Sequence, residues 1–362
     1  MTEVTKDILL SVQNLTVEYT SEGDVIHAVN DVSFELEKGK TIGLVGETGA
    51  GKTSIAKSIL RILPEPPARV RSGQIYFEGQ ELLALHEEEM RKIRGKAISM
   101  IFQDPMTALN PIMRIGTQIS EVIELHEHCS RSQAIEKAKE MLEMVGIPGE
   151  RYYEYPHQFS GGMKQRVIIA IALACNPKLL LADEPTTALD VTIQAQVMEM
   201  INELKKEFRT SMILITHDLG IVAESCDSVA IMYAGKIVEY GSLEDIFDHT
   251  SHPYSKGLFN SIPSLEKDTH RLQPIRGLMP DPANLPTGCA FHPRCPYADE
   301  ICEKEVPPTV EVSPGHQCLC HHCKEGVGLY FPDEKINEMA YVHDLPTSNP
   351  GNDLLGKGGA EE

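Results

Sequence analysis

The stretch Gly46-Glu47-Thr48-Gly49-Ala50-Gly51-Lys52-Thr53 constrains this chain more than any other. Glycines at this density interrupt both strand and helix, because glycine admits backbone conformations that other residues avoid. The flanks are regular. The apolar run TIGLV precedes the loop and reads as a buried strand, and SIAKSILRIL follows with helical character. A strand, a G-x-x-x-x-G-K-T loop and a helix form the context in which backbone N–H groups curl around phosphate, aided by the positive end of the helix dipole. In that context Lys52 is expected to reach the β- and γ-phosphates and Thr53 to ligate Mg²⁺, with Ser54 opening the helix beside them. A glycine turn followed by a surface lysine is the plain alternative, and the flanking strand and helix weigh against it.

Two further motifs belong with this loop. In LLLADEP, the apolar residues Leu179–Ala182 deliver Asp183 to the end of a buried strand, where a carboxylate can hold Mg²⁺ through water. Glu184 follows, placed to orient or deprotonate an attacking water. In Phe159-Ser160-Gly161-Gly162-Met163, two glycines precede the helical run KQRVIIAIAL and again present backbone N–H groups to an anion. Between and beyond these motifs, SMILIT and DSVAIMY read as strands. Asp190 reads as the N-cap of a helix with an apolar face of Ile193, Val197, Met200, Ile201, Leu204 and Phe208. Alternating strands and helices predict an α/β fold with a parallel sheet and crossover helices. Earlier, LTVEY and VIHAVNDVSFEL alternate as half-buried strands do, and Ser132 to Val145 has helical composition.

These motifs, in this order, resemble the ATP-binding subunits of ABC transporters, in the branch that serves peptide and nickel importers. The resemblance covers about residues 8–322. GETGAGKT is similar to the Walker A loop, so that Gly46, Glu47, Thr48, Gly49, Ala50, Gly51, Lys52, Thr53 and Ser54 are implied to bind nucleotide. LLLADE is similar to Walker B. Gln103, in IFQDP, matches the Q-loop, which in the family contacts Mg²⁺ and faces the permease. FSGGM resembles the signature motif, with Phe and Met where Leu and Gln are commoner, which assigns Ser160, Gly161 and Gly162 to the nucleotide. Ala188-Leu189-Asp190 matches the D-loop, His217 in ITHD matches the switch histidine, and Tyr19 falls where the family stacks an aromatic on adenine. The implied catalytic set is Glu184, His217 and Gln103, and the implied Mg²⁺ set is Thr53, Gln103 and Asp183.

The implied fold is a P-loop ABC nucleotide-binding domain over residues 1–249. It has a RecA-like core, an antiparallel β subdomain and a helical subdomain at about 104–165, and it is followed by a small Cys-rich C-terminal domain (250–323) and an acidic tail (324–362). The implied activity is ATP hydrolysis that drives import of di- or oligopeptides. The implied partners are two permease subunits, a second ATPase subunit paired head to tail, and an extracytoplasmic substrate-binding protein. In such a pair, each ATP lies between the Walker A loop of one subunit and the signature glycines of the other.

Charge and hydropathy agree with those partners. With 33 Lys+Arg against 53 Asp+Glu and a formal charge of −20, the chain is a poor candidate for binding nucleic acid, which needs clustered basic residues. No long apolar run offers a membrane span. Glu3 and Asp7 stand where a signal peptide would be basic, so a cytosolic chain is expected, peripheral on the cytoplasmic face of a bacterial cell membrane. ABC ATPases of DNA repair or chromosome organisation carry long coiled-coil insertions between their Walker motifs, and Lys52 and Asp183 lie too close in sequence for one. A translation-type factor would need two such cassettes, and a purely structural metal module would not need Lys52, Asp183 and Glu184 together.

Six of the nine cysteines lie between Cys289 and Cys323. In a reducing compartment such density suggests metal before disulfides. Four cysteines suit iron–sulfur or zinc. Zinc sites favour paired C-x₂₋₄-C knuckles, and only Cys320 and Cys323 have that spacing. The segment also resembles the C-terminal region of peptide-importer ATPases, where four thiolates can hold a 4Fe–4S cluster. Cys289, Cys295, Cys302 and Cys320 are the implied ligands, with Cys318 and Cys323 as alternatives for the last. Because these cysteines lie far beyond His217, their expected role is structural and separate from nucleotide binding.

Overall fold

The computed structural model describes residues 7–21, 23–103, 108–187, 189–261 and 275–329. Residues 104–107 of the expected helical subdomain, Ala188 of the D-loop and most of the acidic tail lie outside them.

An eight-stranded sheet organises the chain. Its parallel centre contains β3 (Thr41–Val45), β6 (Ile98–Ile101), β7 (Leu179–Asp183), β8 (Ser211–Thr216) and β9 (Ser228–Tyr233), in the order β9-β3-β8-β7-β6. Every residue of β3, β6, β7 and β8 is buried, as expected for strands covered on both faces. Side-chain alternation then splits the interior into two cores. Leu179, Leu181, Ile213, Ile215, Ala230 and Met232 point to one side, against the antiparallel sheet. Leu180, Ala182, Met212, Leu214, Val229 and Ile231 point to the other, against the helices.

The antiparallel sheet joins β1 (Ile8–Ser21), β2 (Asp24–Glu37), β4 (Ala68–Phe77) and β5 (Gln80–Glu81), in the order β2-β1-β4-β5. The helical part comprises the helices Ile115–His126, Arg131–Met144 and Gly161–Leu173. The second of these starts at Ser130, whose hydroxyl accepts from the Gln133 amide while the Gln133 side chain accepts from the Ser130 amide. That reciprocal cap explains why the helical composition becomes a helix at that point.

The C-terminal segment extends the main sheet. After β9 the chain reverses into β10 (Lys236–Ser242), which pairs with β12 (His316–Leu319), and β12 pairs with β11 (Thr309–Ser313). A short pair, β13 (Cys323–Lys324) and β14 (Gly328–Leu329), follows. A buried polar knot secures this extension. His316 Nε2 lies 2.9 Å from Glu239 Oε1, and the Glu239 carboxylate also accepts from the amides of Ser251 and His252. Each of these buried polar groups has a partner, which is what burial of polar groups requires.

Candidate nucleotide and metal sites

The strand order places four sequence motifs along one edge of the sheet. At the carboxyl ends of β3, β8 and β7, Val45 pairs with Thr216 and Asp183 with Ile215. On the next strand, Ile101 pairs with Ala182. The Gly46–Thr53 loop, His217, Asp183-Glu184 and Gln103 therefore emerge side by side, at the end of the sheet where α/β folds bind ligands.

The glycine loop is tight. Gly46 has φ 156° and Gly51 φ 99°, and a Cβ would meet the Met232 carbonyl oxygen at 2.2 Å or the Ala28 carbonyl oxygen at 2.1 Å. No other residue fits at either position without moving backbone. Gly51 precedes the helix Lys52–Ile59, which no side chain caps. The Lys52 ammonium is buried and donates to the Gly46 and Glu47 carbonyls at 2.7 and 3.0 Å. Burial pushes its pKa down, against the opposing fields of Glu184, Asp183 and Glu47. Thr53 Oγ1 donates to both Asp183 oxygens, at 3.1 and 2.9 Å. Burial raises the Asp183 pKa, and the Thr53 bond works against that rise. Two of the three residues expected at Mg²⁺ are thus already in contact, while Gln103, the third, bonds Glu184 instead. Tyr19 Oη lies 3.1 Å from Ser54 Oγ, at the mouth of the same loop.

Glu184 is held by three side chains. Its Oε2 accepts from Gln103 Nε2 at 3.0 Å and from Thr187 Oγ1 at 2.8 Å, and its Oε1 lies 3.3 Å from His217 Nδ1. Burial alone would raise its pKa, but the bonds from Thr187, Gln103 and His217 outweigh burial and hold the group below the usual carboxylate value. Glu184 also sits at φ 47°, a left-handed conformation for a non-glycine residue. Such strain costs of order 1 kcal/mol and persists where the surroundings over-determine it. Gln103, Glu184 and His217, distant in sequence, therefore form one cluster.

Ser160, Gly161 and Gly162 are placed differently. Ser160 precedes the helix Gly161–Leu173 and caps it, accepting from the Met163 amide at 3.4 Å. Ser160 and Gly161 are exposed, and a Cβ on Gly161 would meet nothing within 4 Å. Asp190 precedes the helix Val191–Phe208 as expected, but its carboxylate makes no cap bond and is exposed, and Val191 beside it is 83% exposed.

The comparisons with known proteins fit this arrangement. Residues 29–187 match the ABC transporter family, and residues 238–302 match the oligopeptide/dipeptide transporter C-terminal region. The oligopeptide transport ATP-binding protein OppD of Escherichia coli is 50% identical over 317 residues, covering 87% of this chain and 93% of its own length. The dipeptide transport ATP-binding protein DppD of Bacillus subtilis is 50% identical over 314 residues, covering 86% and 94%. This chain belongs to the ABC transporter family, in its oligopeptide/dipeptide ATP-binding branch. Among solved structures, the dimeric post-hydrolysis state of the ATP-binding cassette MJ0796 with ADP and Pi superposes with a TM-score of 0.59 at 25% identity, covering 65% of this chain and 99% of that one. The fold is that of an ABC ATPase, and no described helix is long and apolar enough to cross a membrane.

Within this ABC fold the structure adds residues that the motifs alone did not flag. Arg151 lies 4.2 Å over the Phe159 ring, and it bonds Glu154 and the Gln158 carbonyl, bracing the signature loop. Gln165, on the signature helix, donates to the carbonyl of Pro185, one residue past Glu184. Thr187 was equally unforeseen. An Arg just before a Tyr-rich stretch and a Gln one turn into a helix carry no distinctive spacing, so only the fold shows their partners.

The cysteines gather, but loosely. Cys295 feels the charges of Cys320, Cys289 and Cys302, and Cys289 feels that of Cys320, so the four expected ligands are neighbours. Burial raises every one of these thiols, Cys295 to about 12 and Cys302 to about 11, with Cys320 raised first by its bond to Cys323 and then by burial. Cys318 Sγ lies 2.9 Å from Cys323 Sγ, in a separate small core with Cys320 and Val312. Among the described residues, the one group of three or more potential ligands whose donor atoms all lie within 4.8 Å of one another is Asp299, Cys302 and His322.

Proposed function

We propose that this chain is the ATP-hydrolysing subunit of an importer of di- or oligopeptides. In this reading Lys52 turns from the Gly46 and Glu47 carbonyls to the β- and γ-phosphates, and the glycine-loop amides surround them. Thr53, Asp183 and Gln103 hold Mg²⁺, and Tyr19 receives the adenine. Glu184 polarises the attacking water, with His217 and Gln103 setting its orientation. Ser160, Gly161, Gly162 and Asp190 act on the nucleotide of a second ATPase subunit. One observation carries the reading: a strained, hydrogen-bonded Glu184 beside a buried Lys52 and a Thr53–Asp183 pair, a constellation that a structural glycine turn does not need.

The partners follow from the same surface. Phe102, adjoining Gln103, is 43% exposed, and Ile112 and Tyr153 in the helical part are 83% and 54% exposed. Apolar side chains left open near the Q-loop suit docking to two permease subunits at the cytoplasmic face of the membrane, with an extracytoplasmic binding protein supplying peptide. The similarity of most of the chain to OppD and DppD supports peptide as cargo.

At the C-terminus, the reading includes a 4Fe–4S cluster held by Cys289, Cys295, Cys302 and Cys320. The mutual proximity of four thiols, Cys302 and Cys320 buried and Cys289 and Cys295 half-buried, supports it. A single zinc would draw its thiolates to about 3.8 Å apart, given a Zn–S bond of about 2.3 Å. No three of these sulfurs lie that close among the described residues. The cluster would supply cross-linking to a segment with a small core of its own. Protein purified without oxygen should contain about four iron per chain, and Cys295→Ser should lose it. Stoichiometric zinc that survives Cys295→Ser but is lost in His322→Ala would move the site to Asp299, Cys302 and His322.

The functional test is peptide uptake. Vesicles bearing the permease and this chain should accumulate peptide when supplied with Mg·ATP, and vesicles with Lys52→Ala should not. Uptake that is indifferent to Lys52→Ala would overturn the reading.

A further inference from the structure

The second residue of the phosphate loop is held by the cysteine-rich segment. Arg294 lies between Cys289 and Cys295, in the turn His292–Arg294. Its guanidinium donates to both oxygens of Glu47, at 3.0 and 3.1 Å. Its Nε donates to the Arg276 carbonyl at 3.0 Å, and its charge lies 5.7 Å over the Tyr233 ring. The Arg294 side chain is only 6% exposed. The Glu47 backbone is held from the same side, because its amide donates to Tyr254 Oη at 3.1 Å. Tyr254, Tyr233 and Phe291 form one aromatic packet, with ring centroids 4.6 to 5.4 Å apart. Phe291 and Arg294 thus form a wedge seated under the glycine loop.

The charge of Glu47 matters at the site itself. Its field acts on the Lys52 ammonium, alongside those of Asp183 and Glu184. The loop must accept the several negative charges of a nucleotide triphosphate, so an uncompensated carboxylate at its second residue would repel the ligand. A two-pronged arginine is the strongest neutralising partner a carboxylate can have. We infer that Arg294 is a positioning residue for nucleotide binding: it neutralises and fixes Glu47, so the affinity of the phosphate loop for ATP depends on a side chain supplied by the cysteine-rich segment. This goes beyond the ATPase assignment and does not require that the cysteines hold a metal.

The inference makes opposite predictions for the two partners. Arg294→Gln leaves Glu47 charged and should weaken Mg·ATP binding to the full chain about tenfold, the weight of one nearby like charge at a partly solvated site. Glu47→Gln leaves Arg294 positive and should tighten binding by about threefold on the same grounds. The double variant should return to within about twofold of the parent, and Arg294→Lys, which keeps the charge, should lose about threefold or less. Affinities would be read by titration of a fluorescent ATP analogue, with adenosine as a control ligand that should show no such pattern, and in Arg294→Gln the KM for ATP should rise while kcat stays within about twofold. Parental affinity, measured alongside, tests the nucleotide site separately. A contact that merely supports the fold would make both single variants weaker and give no rescue in the double variant, and that result overturns the inference. If Arg294→Gln does not fold, Glu47→Gln decides alone, since binding weaker than the parent would also overturn it.

Discussion

The two motif-bearing edges of this ABC ATPase are built on opposite plans. Along the strand ends, every important side chain is occupied within the chain: Lys52 on loop carbonyls, Thr53 on Asp183, and Glu184 on Gln103, Thr187 and His217. Along the signature edge, Gly161 meets nothing, Asp190 caps nothing and Val191 lies bare. The bonds from Gln103 and Thr187 and the contact with His217 hold Glu184 in one position, and they need no partner subunit to do so. An exposed glycine, a carboxylate without a cap bond and a bare valine leave room for a partner to complete them. In the function proposed above, one edge binds and cuts, and the other is offered to a second subunit's nucleotide.

That contrast can be broken in graded ways. The largest expected effect is on Glu184. Glu184→Gln should keep nucleotide binding and lose on the order of 10²–10⁴-fold in turnover, measured as phosphate release by the assembled transporter. Parental turnover would remove Glu184 from the role assigned here.

The inward-held edge should also be sensitive to acid. His252, fully buried, accepts from the Tyr254 amide, and burial pushes its pKa down to about 4. An unfolded histidine titrates near 6.5, so between about pH 6.5 and 4 the unfolded chain takes up a proton that the folded one refuses. Stability is therefore lost as pH falls through that window, by about 3 kcal/mol in all. His252→Asn retains a cap acceptor and should flatten the fall in thermal midpoint. An equal slope in both proteins would show that other groups govern it.

Lys52→Ala removes a charge-assisted contact to phosphate and should weaken Mg·ATP binding roughly 10- to 100-fold in an equilibrium titration. The smallest effect belongs to the outward edge. Ser160→Ala gives up only a long cap bond and should cost the isolated chain about 1 kcal/mol or less in denaturant unfolding. A loss as large as that of a core residue would mean that the signature serine serves this chain's own fold.

The difference between the edges also explains what the sequence could reveal. Phosphate chemistry imposes residue types at fixed short spacing, so GETGAGKT and LLLADE announce themselves, and the alternating apolar runs forecast the parallel strands that carry them. Gln165 reaches across to the Pro185 carbonyl, and nothing local marks it, while Thr187 bonds Glu184 from only three residues away but belongs to no motif that would single it out. The cysteine-rich segment shows the same limit. Its distance in sequence from His217 suggested independence, yet β12 pairs with β10 in the ATPase sheet and Arg294 reaches Glu47. The Asp190 cap failed for a related reason. Propensity places an Asp before a helix but does not say whether its carboxylate turns toward the helix or away.

The outward edge can be tested without any turnover. Glu184→Gln protein would be mixed with the other ATPase subunit of its transporter, a second copy or a distinct chain, and its mass followed by light scattering during titration with Mg·ATP. A pair should form only as nucleotide is added. Gly161→Asp, which the fold has room for, should abolish pairing in the Glu184→Gln background while leaving the thermal midpoint unchanged. A single-chain mass at every nucleotide concentration, or pairing that survives Gly161→Asp, would contradict a nucleotide site shared between two subunits.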